Sequence, residues 1–158
     1  MSEHATDTRD LSISRLLNAP RALLWRAWTH PELLSQWWCP KPWTTEVLAF
    51  DLRPGGKFHT LMRGPDGESS DNPGCFLEIV PQERLVMTTM LTADWRPATT
   101  PFAMTVIVTF ADEGSGCRYT ARVLHPDDAT REQHEQMGFY EGWNIVMTQL
   151  EAFANTLK

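Results

Sequence analysis

Between residues 44 and 125 apolar and polar side chains alternate along most of the chain, and this period of two predicts a run of β-strands. Six are expected, over Thr44–Leu52, Lys57–Arg63, Cys75–Val80, Leu85–Leu91, Phe102–Ala111 and Cys117–His125. The alternation is clearest in the last two. Phe102, Met104, Val106, Val108 and Phe110 share one face, with Thr105 and Thr109 on the other. Cys117, Tyr119, Ala121 and Val123 then oppose Arg118, Thr120 and Arg122. One-sided alternation predicts a sheet covered on one face and wet on the other. Arg53-Pro-Gly-Gly56, Gly64-Pro-Asp-Gly67, Val80-Pro-Gln-Glu83 and Glu113-Gly-Ser-Gly116 supply turn chemistry between the strands. Such short connections favour an antiparallel meander over parallel crossovers.

Ahead of this run, Leu11–Leu17 reads as one more strand, followed by two short helices. Asn18 is placed to cap the first, and Leu24, Ala27 and Trp28 follow at helical spacing. Thr29-His-Pro-Glu32 has the form of a capping box with Pro31 in the first turn, and this second helix ends by Trp37-Trp38. At the far end, Thr130–Leu157 contains no proline. Its apolar stripe of Tyr140, Trp143, Val146, Met147, Leu150, Phe153, Ala154 and Leu157 predicts one long amphipathic helix that covers the sheet. Gly138 and Gly142 weaken its first half by about 1 kcal/mol each relative to alanine, and permit a bend or a close approach to the sheet. The expected fold class is α+β: seven antiparallel strands wrapped around a C-terminal helix. A short polar tail over residues 1–10 precedes a single domain over 11–158.

The chain has 158 residues, which suits one domain, and its 7 Trp, 7 Phe and 7 Met exclude intrinsic disorder. Fourteen Lys and Arg against twenty Asp and Glu leave a net charge of −6, without the basic stripe that nucleic-acid binding requires. No apolar run approaches the roughly 18 residues of a membrane span, and the first ten residues contain no apolar signal core. A cytoplasmic protein without nucleic-acid or membrane partners is expected, as a monomer or homodimer. Cys39, Cys75 and Cys117 form no CxxC pair, which points to a reducing compartment. Among His4, His30, His59, His125 and His134 there is no HExxH. His59 and His125 could meet near Cys75 or Cys117, which falls short of a metal ligand set, so neither metal nor cofactor is expected. There is no GxSxG elbow, and Gly55-Gly56 does not open a helix, as a phosphate cradle would.

The string Asn18-Ala-Pro-Arg-Ala-Leu-Leu-Trp-Arg-Ala-Trp-Thr-His-Pro-Glu-Leu-Leu-Ser-Gln-Trp-Trp38 resembles the opening of the START-like (SRPBCC) superfamily. More narrowly, it is similar to the branch named after the activator of heat-shock protein 90 ATPase homologue. Asp51-Leu-Arg-Pro-Gly-Gly56, Glu78-Ile-Val-Pro-Gln-Glu-Arg-Leu-Val86 and Gly142-Trp143 fit that branch in the same order, so the likeness covers about residues 11 to 157. It implies a helix-grip fold whose shared feature is a hydrophobic cavity between sheet and C-terminal helix. The function expected from it, with the bulky lining, is binding of a hydrophobic or aromatic small molecule. The candidate lining is Phe58, Met62, Met87, Trp95, Phe102, Met104, Tyr119, Phe139, Tyr140, Trp143 and Met147. Trp95 lies in a polar, proline-bounded loop and is assigned to a cavity gate, a partner contact or an extended strand pair.

Two other functions stay open. One is a chaperone-interacting stress-response module, although the additional N-terminal domain of the co-chaperones is expected to be absent. The other is a cyclase-like or hydrolase-like enzyme, which needs a polar group inside the cavity. Glu46, Asp51, His59, Glu78, Tyr119 and His125 fall on strands and are the candidates for that role.

Overall fold

In the computed structural model, residues 7–157 are described. Residues 1–6 of the expected tail, His4 among them, lie outside the described residues, as does Lys158. The rest of the tail is a turn closed by the Asp10 N–H donating to the Asp7 carbonyl at 3.0 Å, and the first strand starts there.

All seven expected strands form. They are β1 (Asp10–Leu17), β2 (Thr44–Phe50), β3 (Phe58–Arg63), β5 (Cys75–Val80), β6 (Arg84–Thr88), β9 (Thr105–Glu113) and β10 (Gly116–Leu124). Five make an antiparallel sheet in the order β1-β10-β9-β6-β5, while β2 and β3 pair beside it. A Lys57–Cys75 bridge joins the two groups, with Phe58 N–H donating to the Gly74 carbonyl and Phe76 N–H to that of Gly56. The two sheets are thus joined edge to edge. In β10 the buried set is Cys117, Tyr119, Ala121 and Val123, as the alternation implies.

The differences have local causes. A short strand, β4 (Ser69–Asn72), pairs with β3. Its sequence Ser-Ser-Asp-Asn has no apolar residue and therefore no period to read. Pro73 lacks an N–H for the ladder, and a Cβ on Gly74 would lie 2.8 Å from the Thr88 carbonyl oxygen, so β4 and β5 are separate segments. The strand expected from Phe102 begins only at Thr105, because Thr89 Oγ1 donates to the Phe102 carbonyl and Thr88 Oγ1 to that of Met104. Beyond β6, two residues each of β7 (Leu91–Thr92) and β8 (Arg96–Pro97) pair around Trp95. Trp95 itself lies in the 3-10 turn Ala93–Trp95 that connects them and belongs to neither strand. Its indole lies on Gly55, where a Cβ would come within 2.9 Å of the ring.

Two short helices, α1 (Arg21–Thr29) and α2 (Pro31–Leu34), follow β1 as expected, but neither expected cap forms. Pro20 and His30 occupy the N-cap positions without side-chain bonds, and Thr29 Oγ1 instead donates back to the Trp25 carbonyl at 2.8 Å. The long terminal helix is broken. α3 (Asp128–Gln136) and α4 (Phe139–Ala154) meet at Gly138, whose φ of 94° ends one helix and starts the next. α3 buries none of its side chains, whereas α4 buries Phe139, Val146, Met147, Leu150 and Ala154. Trp28 and Trp37 are fully enclosed between α1, the sheet and the residues after α2. Trp28 Nε1–H donates to Tyr119 Oη at 2.9 Å, and Trp37 Nε1–H to the Ala27 carbonyl at 3.1 Å.

Candidate functional site

A cavity of about 410 Å³ lies where α4, the end of α3, the residues after α2 and the sheet converge. Trp38, Cys39 and Pro40 form one wall, Met62 and Met104 another, and His134, Met137, Phe139, Gly142, Trp143 and Val146 the helical side. A second space of about 110 Å³ adjoins it, bounded by Phe58, Thr60, Met87, Thr88 and Val106. Trp38, Met62, Met104 and Trp143 belong to both. Gln149 of α4 holds the Trp38 wall in place: its Nε2 donates to the Trp37 and Cys39 carbonyls at 3.2 and 2.9 Å, and its Oε1 accepts from the Lys41 N–H. Burial pushes the Cys39 thiol above its ordinary pKa, and its sulfur accepts from Thr45 Oγ1 at 3.0 Å.

Six of the eleven candidate lining residues come together on these walls: Phe58, Met62, Met87, Met104, Phe139 and Trp143. The other five lie elsewhere. Tyr119 and Met147 are fully enclosed in the packed core, because their faces of β10 and α4 meet other side chains and no open space. Phe102 stands with its edge against His134, ring centroids 4.8 Å apart. Tyr140, in the first turn of α4, is 43% exposed beside Phe139. Trp95 is 52% exposed over Gly55 and forms no part of the cavity walls.

A Cβ on Gly142 meets nothing within 4 Å. The close helix–sheet approach expected at this glycine is therefore not made; Gly142 borders open cavity. Gly142→Leu should stabilise the protein by about 1 kcal/mol through helix propensity, and its side chain should fill the space. A higher midpoint in urea unfolding, with apolar ligands excluded, is the expected outcome.

The polar strand residues mostly face solvent. Glu46 pairs with Arg63 at 2.9 Å, Asp51 with Arg53 and Glu78 with Arg84 both at 2.8 Å, and His59 bonds Asp71 at 2.6 Å. Exposed pairs of this kind contribute about 0–1 kcal/mol each. Among the described residues no three His, Cys, Asp or Glu side chains are grouped to hold a metal ion. His125 does face inward, but its partner is not His59. Its Nδ1 lies 2.6 Å from the Arg9 carbonyl and its Nε2 3.0 Å from Nδ1 of His134. Sequence reading missed His134 because it is the one cavity residue on an otherwise polar helix.

Burial, with His125 beside it, pushes His134 down to about 4. A folded-state value below the unfolded one, about 6.5, means that the unfolded chain binds the proton first. The stability that His134 contributes is thus complete above about pH 6.5 and is lost as the pH falls toward 4. Denaturation midpoints measured across this window should fall in the native protein and fall less in His134→Phe.

The relatives agree with this architecture. The family model described as Activator of Hsp90 ATPase homolog 1-like protein matches residues 18–155. Among solved structures, a Nitrosomonas europaea protein is 42% identical with a TM-score of 0.90, covering 96% of this chain and 97% of that one. A Mycobacterium smegmatis protein is 27% identical with a TM-score of 0.78, over 95% and 93% of the two chains. The AHSA1-like protein of Aeromonas hydrophila, at 22% identity and a TM-score of 0.71, covers 93% and 92% and shares the fold. A search of curated proteins found no match. No helix among the described residues is long and apolar enough to cross a membrane. With the helix-grip architecture in place and the family model spanning nearly all of it, the chain belongs to the Activator of Hsp90 ATPase homolog 1-like family.

Proposed function

We propose that the protein binds a hydrophobic or aromatic small molecule in the cavity between the sheet and the C-terminal helices. The observation that carries this reading is the cavity itself, about 410 Å³ walled by Trp38, Met62, Met104, Phe139, Trp143 and Val146. Ligand sites typically run from about 300 to 1,000 Å³, lined by apolar and aromatic side chains with a few polar groups. A dry cavity of about 150 Å³ already accepts benzene, so this one has room for two or three fused rings. Flat faces of Trp38 and Trp143 and the pliable side chains of Met62 and Met104 suit rings of varied shape.

Naphthalene titration followed by tryptophan emission tests the reading, since Trp38 and Trp143 are both on the walls. Saturable binding at one site, abolished in Gly142→Leu, is the expected result. No saturable change in the native protein would sink the proposal.

Trp143→Ala separates a cavity wall from a packed core. Trp143 is only partly buried and borders both spaces, so its ring already lacks neighbours on one side. Truncation should cost about 1–2 kcal/mol, below the 3–5 kcal/mol of an enclosed tryptophan, and should change naphthalene affinity. Guanidinium unfolding and the same titration measure both. A cost near the upper figure with unchanged affinity would return Trp143 to the core.

A further inference from the structure

We propose that His134 is the polar recognition point of this cavity, and that the ligand is an uncharged ring compound carrying one hydroxyl or N–H donor, an aryl alcohol in the simplest case. The inference rests on the cavity being a ligand site and adds the chemistry of what is recognised there.

Hydrogen bonding dictates the proton positions. The Arg9 carbonyl can only accept, so His125 Nδ1, 2.6 Å away, carries a hydrogen. A neutral imidazole has one N–H, which leaves His125 Nε2 as an acceptor. His134 Nδ1, 3.0 Å from it, must then be the donor. By the same count His134 Nε2, on the far edge of the ring, keeps a free lone pair. No protein group among the described residues bonds to it. Nor is it sealed from access, since the one enclosed side-chain polar atom left without a partner among the described residues is Arg131 Nε. His134 lines the cavity, and Nε2 is the ring nitrogen that the protein leaves for a ligand there.

The surroundings narrow the class further. Phe102 and Phe139 meet the His134 ring edge-on at 4.8 and 5.1 Å and fix its plane. Burial keeps the imidazole uncharged at neutral pH, which suits accepting a hydrogen bond and makes it a weak base for removing a proton. A carboxylate would bring a second acceptor against this lone pair. A cation would lose its hydration among Trp38, Met104, Phe139 and Trp143 without gaining a counter-charge on those walls. A neutral donor on an apolar ring system satisfies both parts of the site.

The matched pair 2-naphthol and naphthalene tests this by tryptophan emission at about pH 8, above the ordinary imidazole pKa. In the native protein the ratio of 2-naphthol to naphthalene affinity should exceed that in His134→Phe by about tenfold, the size of one neutral hydrogen bond. Phenylalanine retains the ring contacts and removes the acceptor together with the bond to His125, a loss common to both ligands that cancels in the ratio. Equal ratios in the two proteins overturn the role of His134 while leaving the cavity reading intact. Naphthalene and 2-naphthol both failing to bind native protein overturn the cavity reading, and this inference with it. Should His134→Phe not fold, nitrogen-15 spectra of histidine-labelled native protein decide. His134 Nε2 should shift on adding 2-naphthol and stay in place with naphthalene. Binding of 2-naphthol without that shift overturns the proposal.

Discussion

Trp28→Ala is expected to remove about 4 kcal/mol of folding stability, within the 3–5 kcal/mol range of enclosed tryptophans cut to alanine. The indole is fully buried and stands edge-to-face with Trp37 and Trp38, centroids 5.7 and 4.9 Å away. Trp28 lines neither space and packs behind the walls formed by Trp38 and Phe58, so the void left behind is a new one. A second cost comes from Tyr119, whose enclosed hydroxyl accepts the Trp28 Nε1–H at 2.9 Å. Burial holds the Tyr119 phenol far above its ordinary pKa, and without the indole its oxygen keeps no partner. Tyr119→Phe isolates that second part by orphaning the Trp28 N–H, at about 1–3 kcal/mol. Equilibrium unfolding in guanidinium reads both. A Trp28→Ala loss below about 2 kcal/mol would mean that the tryptophan cluster is not the structural centre described above.

Gly56→Ala should be nearly as damaging for a different reason. A Cβ at this position would overlap the Asp51 carbonyl oxygen and come within 2.9 Å of the Arg53 carbonyl oxygen. Both obstacles are backbone, so no side chain can swing aside. The turn must open instead. Two links to β5 run through it: Gly55 N–H donates to the Phe76 carbonyl at 2.8 Å, and Phe76 N–H to the Gly56 carbonyl at 2.9 Å. Asp94 N–H donates to the Gly55 carbonyl as well, which ties down the Trp95 loop. A loss of about 3 kcal/mol is expected, at the upper end of overpacking costs, with Trp95 emission shifted toward that of a solvated indole. An unchanged midpoint would show that the turn has slack.

The sheet was legible because its strands are buried on one side only. Val106, Val108 and Phe110 against Thr105 and Thr109 leave no ambiguity about period or face. β4 escaped because Ser69-Ser-Asp-Asn72 has no apolar side chain and is held to its partner strand by backbone pairing and the His59–Asp71 bond. The break at Gly138 was half visible: the glycine is in the sequence, but only the polarity of everything before it shows that α3 need not continue α4. For the cavity, strand parity pointed to Met104 and the apolar stripe of the last helix to Trp143. The same reasoning misplaced Tyr119, since an inward side chain can meet either open space or Trp28. The Trp38–Pro40 wall has no periodic signature at all, being positioned by Gln149 from 110 residues further along the chain.

The turn at Gly138 divides the molecule into parts of unequal cohesion. α3 satisfies its own backbone, is capped by Asp127 accepting from the Thr130 N–H, and encloses none of its side chains. Its ties to the rest are few, chief among them the His125–His134 bond and Thr8 Oγ1 to Asp128. Detaching this segment breaks those bonds and the ring contacts of His134 with Phe102 and Phe139, a small fraction of the free energy of global unfolding. The amide hydrogens of α3 should therefore exchange with solvent well before those of the sheet, through a local opening that leaves the melting temperature of the sheet untouched.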